Sequence, residues 1–419
     1  MTKYVMALSE GLAEPNWLTK RRLLFRDKMA ELELARIDRI KYQRWPLIDE
    51  QVTLVEPTGA VPDFLSKEHL PHMVQVSGAP SFESLPASWR DAGVVFTPFS
   101  QIDHTYEAFL EKELGTIAEV NRLTAYNTAY FNGSAFLYIP DNMVLDEAIQ
   151  GLFLHDVMQQ IPWLQRLVIH VGKHASVSFV ERMKTIGTAD KETIANIVVE
   201  MVLEEGASVK YATIDQLGEK VTAYIHRRVK VGKNAHLDWS QAFFNEGRVV
   251  IDHDVDLAGE GSYGTIKAVA LSSDKQIQAI DTRMTNKAPF SIGHILQHGV
   301  ILDKGRVTFN GIGHIENGAK NADAQQESRV LMLSDKARSD ANPILLIDEN
   351  EVTAGHAASI GQIDAEDLYY LMSRGLTEDK AKGLIVRGFL ATVLGEIPVD
   401  AVRDEMIAIL ESRLEGAED

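Results

Sequence analysis

The spacing of hydrophobic and polar residues divides this chain into regions with different periodicities. Within residues 14–40, the apolar residues Phe25, Met29 and Leu32 recur at steps of four and three, and basic residues crowd the rest of the surface. This spacing predicts an amphipathic helix, and Pro46 ends the pattern. Beyond it, between proline-containing loops, the pattern predicts two more helices: Ile102–Leu114 and Thr116–Tyr130.

From residue 135 to residue 345 the period changes to two. Apolar and polar residues alternate in short runs such as 249–257 and 266–270, and Gly, Asn and Asp separate the runs. Alternation of this kind predicts β-strands that bury one face. No helical segment of convincing length lies between the runs, so a parallel sheet with helical crossovers is not expected.

A weak internal repeat runs through the strand region. Val171–Ala175 resembles Val231–Ala235, the related segment Glu205–Val209 lies between them, and Asn317–Lys320 is a later echo. Aligned on their alanines, the first three segments are 32 and 28 residues apart. Strand–turn units that repeat with a glycine-containing turn indicate a solenoid. An antiparallel sandwich with ordinary glycine turns is the alternative, and periodicity alone leaves both open.

The last region, from residue 360 onward, returns to a helical pattern. Asp364 suits the N-cap of a first helix, and Gly375 suits the position just after its end. Thr377 can cap a second helix with Ile385, Phe389 and Val393 on one face, and Pro398 opens a third with Val399, Val402, Met406, Leu410 and Leu414. Helices of this kind either dock a partner or cover the end of a solenoid. The predicted domains are a mostly helical region at 1–130, a β-rich core at 131–348 and a helical domain at 349–419.

The composition restricts the possible partners. There are 60 acidic and 42 basic residues, which gives a net charge of −18. Nucleic acids and anionic membranes both attract basic surfaces, so neither is expected as a partner. No apolar run approaches the roughly 20 residues that a membrane helix needs. The chain has no cysteine, so it forms no disulfide and offers no thiolate to a metal, which fits a reducing cytoplasm.

Motifs for nucleotide binding and hydrolysis are missing. Neither a phosphate-binding G-x-x-x-x-G-K-[ST] loop nor a G-x-S-x-G nucleophile motif occurs. The glycine-rich segment Gly259–Gly264 lies between predicted strands and opens no helix, so it is interpreted as a turn. His294 and His298 are four residues apart, and a structural or solvated pair is favoured over a zinc site because a third ligand is not evident nearby.

Two further features carry alternative interpretations. Asp252, Asp254 and Asp256 share one strand face; this row suits either the cleft of a β-helical carbohydrate-active enzyme or a solvated surface. His356 lies among small residues where the strands give way to helices, so its imidazole is accessible. Imidazole is a common ligand of iron and zinc, but composition alone favours an ordinary loop histidine.

An ordered set of short motifs changes that balance. Those in the block 281–394 are Phe309-Asn310-Gly311, Asn317–Ala324, Leu331–Ser334, Asn342-Pro343, Asn350–Val352, His356–Asp364 and Leu368–Leu376. Those at the entry into the β core are Tyr126–Gly133 and Tyr138–Asn142. In this order they resemble the SufB/SufD family of iron–sulfur cluster assembly proteins. The resemblance covers roughly 125–395.

The resemblance implies a right-handed parallel β-helix flanked by N-terminal and C-terminal helical regions. It also implies a non-enzymatic scaffold that pairs with a SufB-like paralogue through the β-helix and carries a SufC-like ABC ATPase on its C-terminal helices. The residues expected to dock the ATPase are Leu368, Tyr369, Leu371, Met372, Arg374, Ile385 and Phe389.

Within the family, SufB-type chains carry a cysteine near the position of Ser328. Because this chain has no cysteine, it resembles the SufD-like branch. The resemblance then implies that no cofactor is bound stably and that His356 is the ligand for a transient iron–sulfur cluster, facing a thiolate of the SufB-like partner. A purely structural scaffold, homodimeric in isolation, is the remaining alternative.

Overall fold

The structure is a computed structural model that describes residues 2–37, 39–56, 72–115, 121–395 and 400–415. Its helices are α1 Thr2–Gly11, α2 Asn16–Met29, α3 Ala87–Asp91, α4 His104–Glu113, α5 Arg122–Tyr130, α6 Ala365–Ser373, α7 Glu378–Leu394 and α8 Asp400–Glu415, with short 3-10 turns at Phe99–Gln101 and Val157–Gln159. No helix within these ranges is both long enough and apolar enough to cross a lipid bilayer.

The strands before and within the first half of the β region are β1 Met73–Val76, β2 Ala79–Glu83, β3 Val95–Thr97, β4 Gly133–Ile139, β5 Ile149–Asp156, β6 Trp163–Val171, β7 Ser176–Ile186, β8 Thr193–Leu203, β9 Ser208–Gln216, β10 Val221–Val231 and β11 His236–Phe243. The remaining strands are β12 Arg248–Leu257, β13 Tyr263–Ser272, β14 Ile277–Asn286, β15 Ile292–Ile301, β16 Arg306–Ile315, β17 Asp323–Met332, β18 Arg338–Ile347 and β19 Thr353–Gln362.

From β4 onward, successive strands alternate between two parallel sheets. The even-numbered strands follow one another from β4 to β18, and the odd-numbered strands follow one another from β5 to β19. Each pair of consecutive strands completes one turn, and the solenoid core has about 8 turns. The parallel β-helix is thereby confirmed over the antiparallel sandwich. Near its first turn the hairpin β1–β2 pairs with β5, and β3 pairs antiparallel with β4.

The repeated glycine segments form turns that stack along one corner of the β-helix. The backbone N–H of His174 donates to the carbonyl of Glu205 at 2.9 Å, and that of Gly206 donates to the carbonyl of Lys233 at 2.8 Å. The next turn along the chain is the one that contains Gly259. A Cβ on Gly259 would lie 2.0 Å from the backbone nitrogen of Lys233, so the stacking itself requires glycine there.

The interior of the β-helix is filled by one side-chain face of every strand. Most of these side chains are apolar, as in the row of Ala223, Ile225 and Val229 on β10. Arg227 interrupts that row and is fully buried. A charged group in such a place needs partners, because removing an ion from water costs several kcal/mol.

The partners of Arg227 come from neighbouring turns. Its Nη2 lies 2.7 Å from Oε1 of Glu181 and 2.7 Å from Oδ1 of Asp215. Its Nη1 lies 3.4 Å from Nε2 of His253, whose Nδ1 is 2.9 Å from Nε2 of Gln241. The β-helix therefore contains a compact polar cluster in the middle of an apolar core.

Each outer face of the β-helix is covered by a different end of the chain. The C-terminal helices lie on the odd-strand sheet, where Val386 and Leu390 of α7 are buried in the same cluster as Val269. On the even-strand sheet, Tyr42 and the chain around it pack against Tyr224.

Two predicted helices differ from the observed ones. The helix predicted over 14–40 starts two residues later, at Asn16, and runs as α2 only to Met29. The chain after it is irregular because Ile37 and Leu47 pack against the even-strand sheet. Of the helix predicted over Thr116–Tyr130, residues 116–120 lie outside the described residues, and α5 begins at Arg122. Pro398, the predicted start of the third C-terminal helix, is also outside them.

Candidate functional site

The last turn of the β-helix is open. β18 pairs only with β16, and β19 pairs only with β17, so the opposite edge of each strand has no partner strand among the described residues. These edges present backbone N–H and C=O groups that a further strand can pair with. The β-helix also continues beyond residue 348, because β19 extends the odd-strand sheet to Gln362.

The side chains of this last turn are exposed although many are apolar. Leu346, Ile347 and Ile360 are each about two-fifths exposed, whereas every residue of β5 is buried. Ile347 and Ile360 pair in register with the buried Ile315 and Val330, and no further turn of the described residues is stacked over them, while Leu346 pairs with His314 on the outer face. An open end with an apolar surface and free strand edges is typical of a site that binds another protein.

His356 lies on β19 in this open turn. It pairs in register with Gln326, and Ala358 pairs with Ser328; the side chains of both Gln326 and Ser328 are buried on the inward face. His356 therefore lies on the inward-facing side of the last turn, directly above Gln326, while in the neighbouring column the hydroxyl of Ser328 donates to Oε1 of Gln297 at 3.1 Å. Unlike the residues below it, His356 is exposed, because no turn follows.

The helix α6 follows β19 directly and starts as predicted. The side chain of Asp364 accepts a hydrogen bond from the backbone N–H of Glu366 at 2.8 Å, and Gly375 after the helix has a φ of +95°. On its surface Tyr369 is 74% exposed, and Tyr370 and Met372 are also exposed. This helix presents large amphipathic side chains to solvent.

The residues predicted to dock an ATPase fall into two groups. Tyr369, Met372 and Arg374 are exposed, and the guanidinium of Arg374 lies 5.1 Å from the ring centre of Tyr370. The others, Leu368, Leu371, Ile385 and Phe389, are partly buried.

Of the partly buried group, Phe389 faces the β-helix. Nδ1 of His298 donates to the carbonyl of Phe389 at 2.9 Å, and the two rings stack at 4.7 Å. Burial lowers the pKa of His298, so the neutral imidazole is favoured here. His298, the second histidine of the predicted pair, thus holds α7 onto the sheet. The first, His294, is half-buried, and its Nε2 lies 3.6 Å from Oδ2 of Asp323.

Among the described residues, one group of three acidic and histidine side chains has the spacing to hold a metal ion: His226, Asp252 and Asp254. The aspartates of β12 stand out in the sequence as a row on one strand face, whereas His226 does not. No local signal joins these residues, because only the register between β10 and β12 places His226 beside Asp252.

The fold and the site together define a parallel β-helical protein whose last turn is open and is followed by a helical region. The family model described as "SUF system FeS cluster assembly, SufBD core domain" matches residues 155–389, and "SufBD protein N-terminal region" matches residues 71–151. The chain therefore belongs to the SufBD family of the SUF system for iron–sulfur cluster assembly.

Relatives in several bacteria agree with this assignment. The iron-sulfur cluster assembly protein SufD of Bacillus subtilis is 35% identical, over 98% of this chain and 97% of its own length. SufBD family proteins of Staphylococcus saprophyticus and Staphylococcus epidermidis are 25% and 26% identical, each over 89% of this chain and 80% of its own length. The SufD-like resemblance seen in the sequence is thus confirmed.

Proposed function

We propose that this chain is a non-enzymatic scaffold subunit of a SufBCD-type complex in the cytoplasm. In this proposal the open turn pairs with a SufB-like paralogue, and the C-terminal helices bind a SufC-like ABC ATPase. An iron–sulfur cluster is the transient cargo at the junction of the two β-helices. The observation that carries the proposal is the open last turn, with unpaired strand edges and an exposed histidine on its inward face.

A second β-helix is the occupant that best fits the open turn. Strands in a sheet lie about 4.8 Å apart, so an open β18–β19 turn can accept another turn of the same shape. Pairing satisfies the backbone groups of both edges and covers Leu346, Ile347 and Ile360. A paralogue from the same family supplies that shape. In the absence of the paralogue, a second copy of this chain can use the same edge, so we expect a homodimer in isolation.

His356 is the cluster ligand in this proposal. Soft thiolates hold iron and sulfide most firmly, and this chain has no cysteine. The thiolates therefore come from the SufB-like partner, while an imidazole completes the site. A histidine on iron exchanges more readily than a thiolate, so it suits a cluster that must be released.

The exposed surface of α6 is the proposed ATPase contact. Tyr and Met are enriched in protein interfaces, and Tyr369, Tyr370 and Met372 are exposed together on this helix. The neighbouring helix α7 is held to the β-helix by Phe389 and His298. A movement of the ATPase can thus be passed to the scaffold as a rigid displacement of packed elements.

Co-purification under anaerobic conditions with the SufB-like and SufC-like proteins tests the two contacts separately. We expect Ile360→Lys to lose the SufB-like protein and keep the ATPase, because a charge enters the apolar edge. We expect Tyr369→Ala together with Met372→Ala to do the reverse. Leu24→Lys, which alters an exposed apolar residue of α2, is the matched control and should keep both. Recovery of both partners by every variant would contradict the proposed surfaces.

The isolated chain tests the proposed homodimer. Light scattering after gel filtration should give a dimer for the wild type and a monomer for Ile360→Lys. A dimer that survives this substitution would assign the homodimer contact to another surface.

The ligand role requires its own variant. His356 is exposed, so His356→Ala should form the full complex while the iron and sulfide recovered with it fall at least tenfold. His104→Ala is the control, since the His104 side chain is 99% exposed on α4, far along the sequence from the open turn. Normal cluster maturation in cells that carry His356→Ala would exclude the ligand role and leave a purely structural scaffold.

A further inference from the structure

His226 occupies an unusual position on the outer face of the even-strand sheet. Its side chain is 0% exposed, yet neither ring nitrogen makes a hydrogen bond within the described part of the chain. The nearest acceptor is Oδ2 of Asp252, which lies 3.4 Å from Nδ1 at ion-pair distance. A buried imidazole with unused nitrogens is costly unless something binds it.

Two carboxylates converge on this imidazole. β10 and β12 pair so that His226 is beside Asp252, and Asp254 follows two residues later on the same face. One donor atom from each of the three residues lies within 4.8 Å of the other two. The side chains of Asp252 and Asp254 are 15% and 18% exposed, so the group opens to solvent on the carboxylate side.

The surrounding charges leave this group acidic. Asp281 on the next strand of the sheet adds a third carboxylate beside Asp252, and the Tyr224 hydroxyl donates to Oδ2 of Asp252 at 2.8 Å. One cation of the described residues, Arg283, faces the group, with its Nε 3.8 Å from Oδ1 of Asp254.

The other basic groups nearby are engaged by a different carboxylate. Arg228 and Lys287 lie 2.8 and 2.9 Å from the carboxylate oxygens of Asp256. A divalent cation would thus offset the excess of negative charge around His226 rather than add to a positive surface.

We propose that His226, Asp252 and Asp254 bind a divalent first-row transition metal. One imidazole and two carboxylates suit manganese, iron(II) or zinc, whereas calcium and magnesium prefer oxygen ligands alone. Donors that share such an ion at about 2.1 Å lie roughly 3 to 4.3 Å apart, so small side-chain rotations bring these three to one metal. The Tyr224 hydroxyl then orients the Asp252 carboxylate, as groups behind metal ligands commonly do.

This site is separate from the open turn. β12 is followed in its sheet by β14, β16 and finally β18, which places the group three strand spacings, about 14 Å, below the last turn. It also lies on the outer face, whereas His356 lies in register with inward-facing residues. A metal ion bound by His226, Asp252 and Asp254 would therefore require no cluster at the open end.

The alternative arrangement has no metal and a protonated His226 paired with Asp252. Titration of the metal-stripped, full-length chain with Zn²⁺ alone and with Mn²⁺ alone, followed by calorimetry, separates the two. We expect one saturable high-affinity ion per chain in the wild type and a rise in the unfolding temperature with the ion present.

The variants assign the ion to these residues. His226→Asn and Asp254→Asn should each weaken binding by tenfold or more and abolish the rise in unfolding temperature. The matched control is His314→Asn, which removes a histidine on the outer face of the same sheet that pairs with Asp348 at 3.1 Å; its binding should stay within twofold of the wild type.

Three results would overturn the proposal: no saturable binding by the wild type, unchanged binding by Asp254→Asn, or an equal loss in His314→Asn. Circular dichroism checks that each variant is folded. If His226→Asn does not fold, the Asp254→Asn variant tests the site by itself, because Asp254 is partly exposed and its substitution should be tolerated.

Discussion

Arg227 provides the sharpest test of how the interior of the β-helix is stabilised. Its guanidinium lies 2.7 Å from both Glu181 and Asp215, and all three side chains are 0% exposed. Replacing Arg227 by Met keeps much of the side-chain volume but leaves two carboxyl groups in an apolar interior without their cation.

The expected loss is about 3 to 5 kcal/mol in the free energy of unfolding, the usual cost of leaving a buried charge without its partner. Burial already raises the pKa of Glu181 in the native protein despite the neighbouring guanidinium. In the variant Glu181 therefore takes up a proton more readily, which keeps the loss within this range. Tyr211 still donates its hydroxyl to Glu181, so one hydrogen bond remains.

Urea unfolding followed by tryptophan fluorescence measures this loss. Trp239, one of five tryptophans, stacks on His253 at 4.9 Å next to the cluster, so the part of the emission change that a Trp239→Phe background removes reports on these turns. Stacked turns need not unfold in one step, and the variants are therefore compared at the transition that Trp239 reports. The matched control is Arg248→Met: this arginine is 43% exposed, lies 3.0 Å from Glu192, and should cost less than about 1 kcal/mol.

A combined variant separates the charges from the packing. Arg227→Met with Glu181→Gln and Asp215→Asn removes the cation and both anions, so at least half of the loss should be recovered. A loss below 1 kcal/mol in Arg227→Met alone, or one equal to that of Arg248→Met, would refute this account of the cluster.

Two further predictions concern the turns and the C-terminal helices. Gly259→Ala should lower the urea midpoint markedly, because its Cβ would collide with the backbone of Lys233, whereas Gly361→Ala, with no atom within 4 Å of the added carbon, should leave it unchanged. The pKa of His298 is lowered in the folded protein from an unfolded value of about 6.5. Its contribution to stability is therefore complete above pH 6.5 and decreases as the pH falls below that value. Proteolysis of α7 should accelerate between pH 7 and 5.5 in the wild type, and His298→Gln should remove most of this pH dependence; equal acceleration in both would contradict it.

Local signals in the sequence predicted local structure well. Asp364 and Gly375 lie at the two ends of α6, as predicted. An N-cap residue and a glycine with positive φ determine the backbone conformation only of the residues next to them. The alternation of apolar and polar residues predicted the strands, because it too is a pattern among neighbouring residues. The helix predicted over 14–40 was too long because Ile37 gains more by packing on the β-helix than by staying helical.

Features that depend on register could not be predicted in this way. His226 and Asp252 are far apart in sequence, and only the pairing of β10 with β12 brings them together. Arg227 shows the same limit, because its partners come from β7 and β9. His356 was identified through family resemblance, and its exposure at the open turn required the structure.

The position of α7 connects the two proposed contacts of the scaffold. α7 packs on β11, β13 and β15, the odd strands that lead to the open end, while α6 both follows β19 and contacts α7. A force applied to α6 therefore has two routes to the open turn: directly along the chain into β19, and through α7 onto the sheet beneath it. The interior is close-packed and held by the Arg227 cluster, so we expect the lower turns to resist deformation. β18 and β19 have a neighbouring strand on one side only, so the displacement should concentrate in these two strands. In the proposed complex, the least constrained turn of the β-helix is thus the one that carries His356.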